Sequence, residues 1–274
     1  MEENTSLMQL SGQIGIWTDY APLDRGEVLD VVETVGHSEV TGVEIFAEHL
    51  AYFRDDPADL ARVLDTAGLD LSGVYFNVDH RDPETYIDQA GALADTMATI
   101  GGDVLVVGAG REYEDDEERL PAAFEAMAAM LDGIAAAAAD HGVDTVVHPH
   151  RGQLVETPAD LEALLDAGLD RDAIGLCPHA THQYAVGADP YTIYEDYSDW
   201  VRYLHLSDAT PDGDGELLDV GVLDQHRLHD PIFEAGYDGW IVVEGRTDHV
   251  STEEYVSHVR SFVETEFLGE EGWA

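Results

Sequence analysis

Apolar residues fall into short, β-branched runs separated by longer amphipathic or alanine-rich stretches. The runs at 14–17 (IGIW), 42–46 (GVEIF), 71–76 (LSGVYF), 103–107 (DVLVV), 144–148 (DTVVH), 173–177 (AIGLC), 201–206 (VRYLHL) and 240–244 (WIVVE) predict eight strands. The stretches between them predict helices over 24–35, 57–67, 83–100, 117–141, 158–168, 189–199 and 222–235, and the chain closes with one over 252–266. Asp56-Pro57, Asp82-Pro83, Thr157-Pro158 and Asp189-Pro190 mark helix starts, because proline lacks only an N–H that the first turn cannot use. Strict strand–helix alternation implies a parallel sheet covered by helices. Eight units over 274 residues predict an α/β fold, a single (β/α)8 TIM barrel occupying 1–274, close to the roughly 250 residues typical of that architecture. An open doubly wound sheet is the alternative, but no G-x-G-x-x-G phosphate cradle follows the first strand.

Composition narrows the chemistry. The sequence holds 58 acidic and 12 basic residues, a net charge of −46, and every basic residue is arginine. Without lysine there is no Schiff-base aldolase, pyridoxal-phosphate enzyme or Walker-type phosphate site. Cys177 is the only cysteine, so an internal disulfide and a cysteine-cluster zinc site are excluded, and a small buried strand residue is expected there. No apolar run approaches the roughly 20 residues of a membrane span, and MEENTSLMQL lacks a secretory pattern. The expectation is a cytoplasmic protein without a membrane partner, with assembly into a homo-oligomer left open. The acidic, lysine-free surface resembles that of proteins from salt-in halophiles, and disorder is excluded by the apolar periodicity.

Candidate chemistry gathers in the second half. His148, His150, His179, His182 and His205 fall at or just beyond the ends of predicted strands five, six and seven, and strand eight ends on Glu244. C-terminal strand ends carry catalysis in TIM barrels, and neighbouring strands lie about 4.8 Å apart, so these side chains can converge on one ion. Imidazoles with a carboxylate suit Mn²⁺, Co²⁺, Zn²⁺ or Fe²⁺ over Ca²⁺. The loop 208–221 (DATPDGDGELLDVG) is expected either to cover substrate or simply to be solvated; its D-x-D-G spacing lacks the remaining ligands of a calcium loop.

The segments VVHPHRGQLVET (146–157), GLCPHATHQYAVGADP (175–190), RYLHLSD (202–208) and GWIVVEGRTD (239–248) resemble the xylose isomerase-like sugar isomerase and epimerase superfamily, nearest its inosose dehydratase branch. That family takes its metal ligands as a glutamate after strand five, an aspartate after strand six, a histidine on strand seven and a glutamate on strand eight. The resemblance implies His205 and Glu244 as the last two ligands. His179 stands where aspartate is expected and His148 where glutamate is, with His150 and Glu156 close behind. It implies a sugar or polyol substrate and isomerase or epimerase chemistry, proton transfer through an enediolate that the metal stabilises. Glu244 is then one base, and Glu156 the second, with His150 in reserve. His182 would bind a substrate hydroxyl, Arg246 would clamp a polar group, Glu44 would reach the substrate from strand two, and Trp17, with Tyr75, would form an apolar wall. A dehydratase that expels a β-hydroxyl is the alternative. An endonuclease IV-like phosphodiesterase, drawing on His49 and His80, and an inactive barrel are the others. The phosphodiesterase lacks a basic surface for nucleic acid at a charge of −46.

Self-repulsion at that charge is a stability statement. Raising KCl from about 0.1 M to about 1 M shortens the Debye length from about 10 Å to about 3 Å, so the thermal midpoint followed by circular dichroism should climb steadily across that range. A flat or falling midpoint would contradict it.

Overall fold

The computed structural model describes residues 9–110, 119–245 and 249–268. Eight strands form one sheet: β1 (Gln9–Gln13), β2 (Gly42–Phe46), β3 (Asp70–Val78), β4 (Val104–Ala109), β5 (Asp144–His148), β6 (Ile174–Leu176), β7 (Leu204–Leu206) and β8 (Trp240–Val243). Every pairing is parallel, running β6-β5-β4-β3-β2-β1-β8-β7. The two edges meet through a parallel bridge between Leu176 and Val201, and the Arg202 amide donates to the Leu176 carbonyl at 3.0 Å. The sheet is thus a barrel, as the pattern predicted.

The helices form where their ends are satisfied. Asp24 caps α1 (Arg25–Val35) with a capping box completed by Glu27, and Thr157 and Asp160 do the same for the helix Pro158–Asp166. Proline opens Pro57–Ala67, Pro83–Ile100, Pro121–Ala139 and Pro158–Asp166. Gly68, at φ 71°, closes the first of these in the left-handed conformation that favours glycine.

Two expectations need correction. The run 14–17 is a 3₁₀ turn (Ile14–Trp17), and the first strand is the preceding Gln9–Gln13. Its buried face carries Ser11 and Gln13, so no apolar alternation announces it. The Gly15 amide donates to Gln13 Oε1 at 2.5 Å and turns the chain immediately afterwards. Secondly, Pro121–Ala139, with a mean hydropathy of 1.4 over its apolar window, is long and apolar enough to cross a membrane. Here Phe124, Met127, Met130, Leu131 and Ile134 on that helix are buried in the core.

The core has two parts. A large shell packs helices on the sheet. Separate from it, Tyr75, Val106, Val146, Cys177, Tyr203 and Val242 form a cluster with members on or beside six successive strands, which is the packed inside of the barrel. Below the site this interior is partly polar: the Tyr203 hydroxyl donates to Ser72 Oγ at 3.1 Å, and Ser72 Oγ lies 2.6 Å from Ser11 Oγ. Ser72 is the extra residue of a bulge, since Val43 pairs with Leu71 and Glu44 with Gly73.

Gly73 lets Tyr203 reach this position, because a Cβ there would lie 2.6 Å from the tyrosine oxygen. Gly73→Ala should therefore push Tyr203 off Ser72 and cost about 1–3 kcal/mol, read as a lower urea midpoint with an unchanged m-value.

Candidate metal centre

His148, His179, His205 and Glu244 stand at the C-terminal ends of β5 to β8. His148 ends β5, His205 is the middle residue of β7, His179 lies just past β6, and Glu244 follows β8. Glu244 Oε2 lies against His205 Nδ1 and 3.3 Å from His179 Nδ1. His148 and His205 have ring centroids 4.7 Å apart.

Each imidazole has its other nitrogen engaged. His148 donates from Nδ1 to the Cys177 carbonyl at 2.9 Å, and His205 donates from Nε2 to Glu44 Oε2 at 2.9 Å. His179 Nε2 meets Ser207 Oγ at 2.6 Å, Ser207 Oγ meets Thr181 Oγ1 at 2.6 Å, and Thr181 donates to the Asp208 carbonyl at 3.4 Å. A hydroxyl has one proton, so Thr181's commitment to a carbonyl sends Ser207's proton to Thr181, and His179 donates from Nε2. The nitrogens left over, His148 Nε2, His179 Nδ1 and His205 Nδ1, are buried without a hydrogen bond, and so is Glu244 Oε2. Buried polar atoms are almost always partnered. Donors held from behind, with bare atoms in front, are the arrangement of metal ligands and their supporting shell.

The electrostatics follow from burial and from the neighbouring charges. Burial, then the neighbouring His205, lowers the His148 pKa well below the imidazole range, and burial and His179 do the same for His182. Burial opposes ionised Glu244, yet His205 and His179 hold its pKa well below the usual carboxylate range. Burial also opposes protonated His205, but Cys177, Glu44 and Glu244 outweigh it and raise its pKa. The carboxylates of Glu44 and Glu244 on either side of His205 favour its protonated form, and an ion held by His205 and Glu244 would compete with that proton.

The remaining candidates divide. His182 is buried with both nitrogens free of hydrogen bonds. Its ring lies 4.1 Å from that of His179 and 3.8 Å from that of His150, and one ligand atom each from His148, His179, His182 and Glu244 lies within 4.8 Å of the others. It is thus as well placed for an ion as for substrate. His150 donates from Nδ1 to the Arg151 carbonyl at 2.7 Å and lines a cavity of about 330 Å³ together with His179, His182 and Glu244.

Glu44 is 0% exposed and sits behind His205, so it positions a ligand where the sequence suggested contact with substrate. Glu156 is committed elsewhere: its carboxylate pairs with Arg119 and accepts the Gly152 amide at 2.7 Å. Trp17 packs across Gly12, where a Cβ would lie 2.4 Å from its ring, and is not among the cavity's lining residues. Tyr75 meets the His148 ring edge-on at 5.6 Å from inside the barrel. Arg246 lies outside the described residues. A second group of close ligand atoms joins His148, Cys177 and His205, and His49 and His80 belong to neither group found among the described residues.

Sequence reasoning missed Ser207, Thr181 and Tyr20. The first two carried a usable signal, being polar residues two positions from expected ligands; Tyr20 carried none. The loop 208–221 does cover the cavity: Asp208–Ala209 pairs antiparallel with Gly215–Glu216, and Gly213 to Gly215 form part of its wall. Asp208 spends its carboxylate on the backbone amides of Ala209, Gly221 and Leu223.

Comparison with known proteins follows from this geometry. The sequence profile described as "Xylose isomerase-like TIM barrel" matches residues 30–265. Over 226 residues the chain is 26% identical to the inosose dehydratase of Lacticaseibacillus casei, covering 70% of this chain and 74% of that enzyme. A D-allulose 3-epimerase from Methylomonas sp. superposes with a TM-score of 0.75 at 15% identity, over 94% of this chain and 98% of the epimerase. The IOLI protein, solved with a bound zinc atom, superposes with a TM-score of 0.73 at 17% identity, over 94% and 97%. At such identities the structural likeness carries the fold alone.

Burial dictates the acid response. His150 and His229, the latter enclosed by Tyr194, Phe233 and Phe267, have pKa values lowered to about 4, chiefly by burial. Both are neutral when folded and take up protons near pH 6.5 when unfolded, so their contribution is complete above about pH 6.5 and is lost as pH falls towards 4. At constant high salt the urea midpoint should drop across that window, and His229→Phe should make the drop shallower. An unchanged slope in the variant would refute the assignment.

Proposed function

The chain belongs to the xylose isomerase-like TIM barrel family, and from that premise we propose that it is a metal-dependent sugar or polyol isomerase or epimerase, moving a proton on a carbon beside a carbonyl. The observation that carries this reading is the set of four bare, buried ligand atoms on His148, His179, His205 and Glu244, three of them on imidazoles anchored from behind. Those side chains would hold the ion, with His182 as a further donor. Three imidazoles and one carboxylate form a softer donor set than a carboxylate-rich one, which favours Zn²⁺, Co²⁺ or Fe²⁺ over Mn²⁺. The zinc atom in the IOLI protein agrees with that preference. When bound, such an ion supplies a Lewis acid for oxygens that gather negative charge.

The protein's own groups supply the rest. Glu244 lines the cavity and serves as a base on one side of the substrate. His150 takes the second acid/base role: its Nδ1–H is committed to the Arg151 carbonyl, which leaves Nε2 to exchange the proton. Glu156 is excluded from that role by its pairing with Arg119 and Gly152. His182, with no internal hydrogen bond, receives a substrate hydroxyl. A homo-oligomer is compatible with this site, because every group named comes from one chain.

A dehydratase is the second reading, favoured by the identity to inosose dehydratases. Both reactions begin with the same proton removal; they part when the proton returns to carbon or a β-hydroxyl leaves.

Protein purified in high salt should contain about one divalent ion per chain, and His205→Ala and Glu244→Gln should each lose most of it. Glu44→Ala should weaken metal binding about 10–100-fold by releasing His205. Wild-type metal content in both ligand variants would overturn the reading. Incubation with an inosose and a panel of ketoses in ²H₂O, followed by NMR, separates the reactions. Deuterium beside the carbonyl marks the isomerase or epimerase, and a dione product marks the dehydratase.

A further inference from the structure

We propose that the substrate carries an anionic group, a carboxylate or a phosphate ester, and that Arg151 binds it at the rim of the cavity. The inference rests on the reading that this cavity holds a sugar or polyol. It starts from where the arginines are spent. Arg25, Arg62, Arg81, Arg119, Arg171, Arg227 and Arg260 each pair with a carboxylate, and Arg202 donates to the carbonyls of Arg171 and Asp172. With 58 acidic residues in the chain, such pairing is the default. Among the described residues, Arg54, Arg151 and Arg202 make no ion pair, and of these only Arg202 is held by backbone carbonyls. Arg54 faces a separate cleft beside Glu48 and Tyr86, whereas Arg151 lines the cavity that contains Glu244.

The backbone under Arg151 is fixed while its side chain is left free. His150 Nδ1 donates to the Arg151 carbonyl at 2.7 Å, and the next amide, Gly152, donates to Glu156 at 2.7 Å. Arg119 anchors Glu156 in turn. Gly152 adopts φ 75°, a conformation glycine takes without strain, and this sharp turn presents Arg151 at the rim. Arg151 thus lines the cavity on a fixed backbone with no ion pair of its own, which leaves its guanidinium available to a ligand.

Tyr20 forms another part of the wall. Asp19 and Tyr20 both have left-handed backbones, at φ 54° and 57°, rare for bulky residues. The Tyr20 ring closes over Gly15, where a Cβ would lie 2.4 Å away. Backbone strain of this kind collects at binding sites, and here it sets an aromatic face on the cavity for the sugar ring.

Charge decides how recognition works. A net charge of −46 repels an anion at long range, but in molar salt that field decays within about 3 Å. Only a contact pair survives such screening, which is what an unpaired guanidinium offers. Asp214 lies on the same rim and makes no ion pair with Arg151, so it opposes an anion and supplies a control of opposite sign.

Ligand-observed NMR at constant molar salt tests this with a matched trio: a neutral ketose, its phosphate ester and its carboxylate analogue. Wild-type protein should bind one of the anionic ligands at least about tenfold more tightly than the neutral one, as expected for a charge-assisted contact. The preferred member identifies phosphate or carboxylate. Arg151→Gln should abolish the preference, Arg151→Lys should restore part of it, and Asp214→Asn should enlarge it. Equal binding of all three ligands by the wild type, or a preference that survives Arg151→Gln, overturns the inference. Turnover of the neutral ketose by metal-loaded protein with no anion preference would remove the anionic substrate and leave the enzyme reading standing. Loss of the metal result leaves this binding comparison still decisive for Arg151.

Discussion

Bare nitrogen and oxygen atoms buried together are the constraint on which the rest of this structure turns. Leaving a buried polar group unpartnered costs about 1–3 kcal/mol; at the ends of β5 to β8 His148 Nε2 has no partner, and His179 Nδ1, His205 Nδ1 and Glu244 Oε2 have only one another. The surroundings hold this arrangement in place from behind. A backbone carbonyl orients His148, a serine–threonine relay orients His179, and a buried glutamate from the far side of the barrel orients His205. With their other nitrogens held, His179 and His205 both turn Nδ1 towards Glu244, the anion they share.

The barrel makes this geometry available because parallel strands present their C-terminal ends side by side. β6 and β7 are only three residues long, yet the Leu176–Val201 bridge joins them and brings His179 near His205. The polar layer of Ser11, Ser72 and Tyr203 lies under the site, where its hydroxyls satisfy one another. Glu44 enters this interior because His205 donates to it there.

Around the mouth, the few arginines have structural work that follows from their scarcity. Arg119 ties Glu156 to the turn after β5, and that turn carries His150 and Arg151. The same ion pair takes Glu156 out of the chemistry and fixes the residues that remain in it.

The chain's own pattern determined the barrel, because a buried strand and an amphipathic helix each write their period into neighbouring residues. β2 and β5 have the predicted limits, and the region of the site follows from strand ends that carry histidine. β1 escaped because its inward residues are polar, so burial left no apolar trace. Only the tertiary structure decided which role each polar residue plays. Glu44 and His205 are 161 positions apart, and His179 and Ser207 are 28 apart; no local period records such pairs. Whether a carboxylate supports a neighbour, faces a cavity or locks a loop depends on the partner the fold sets beside it: His205 for Glu44, Arg119 for Glu156.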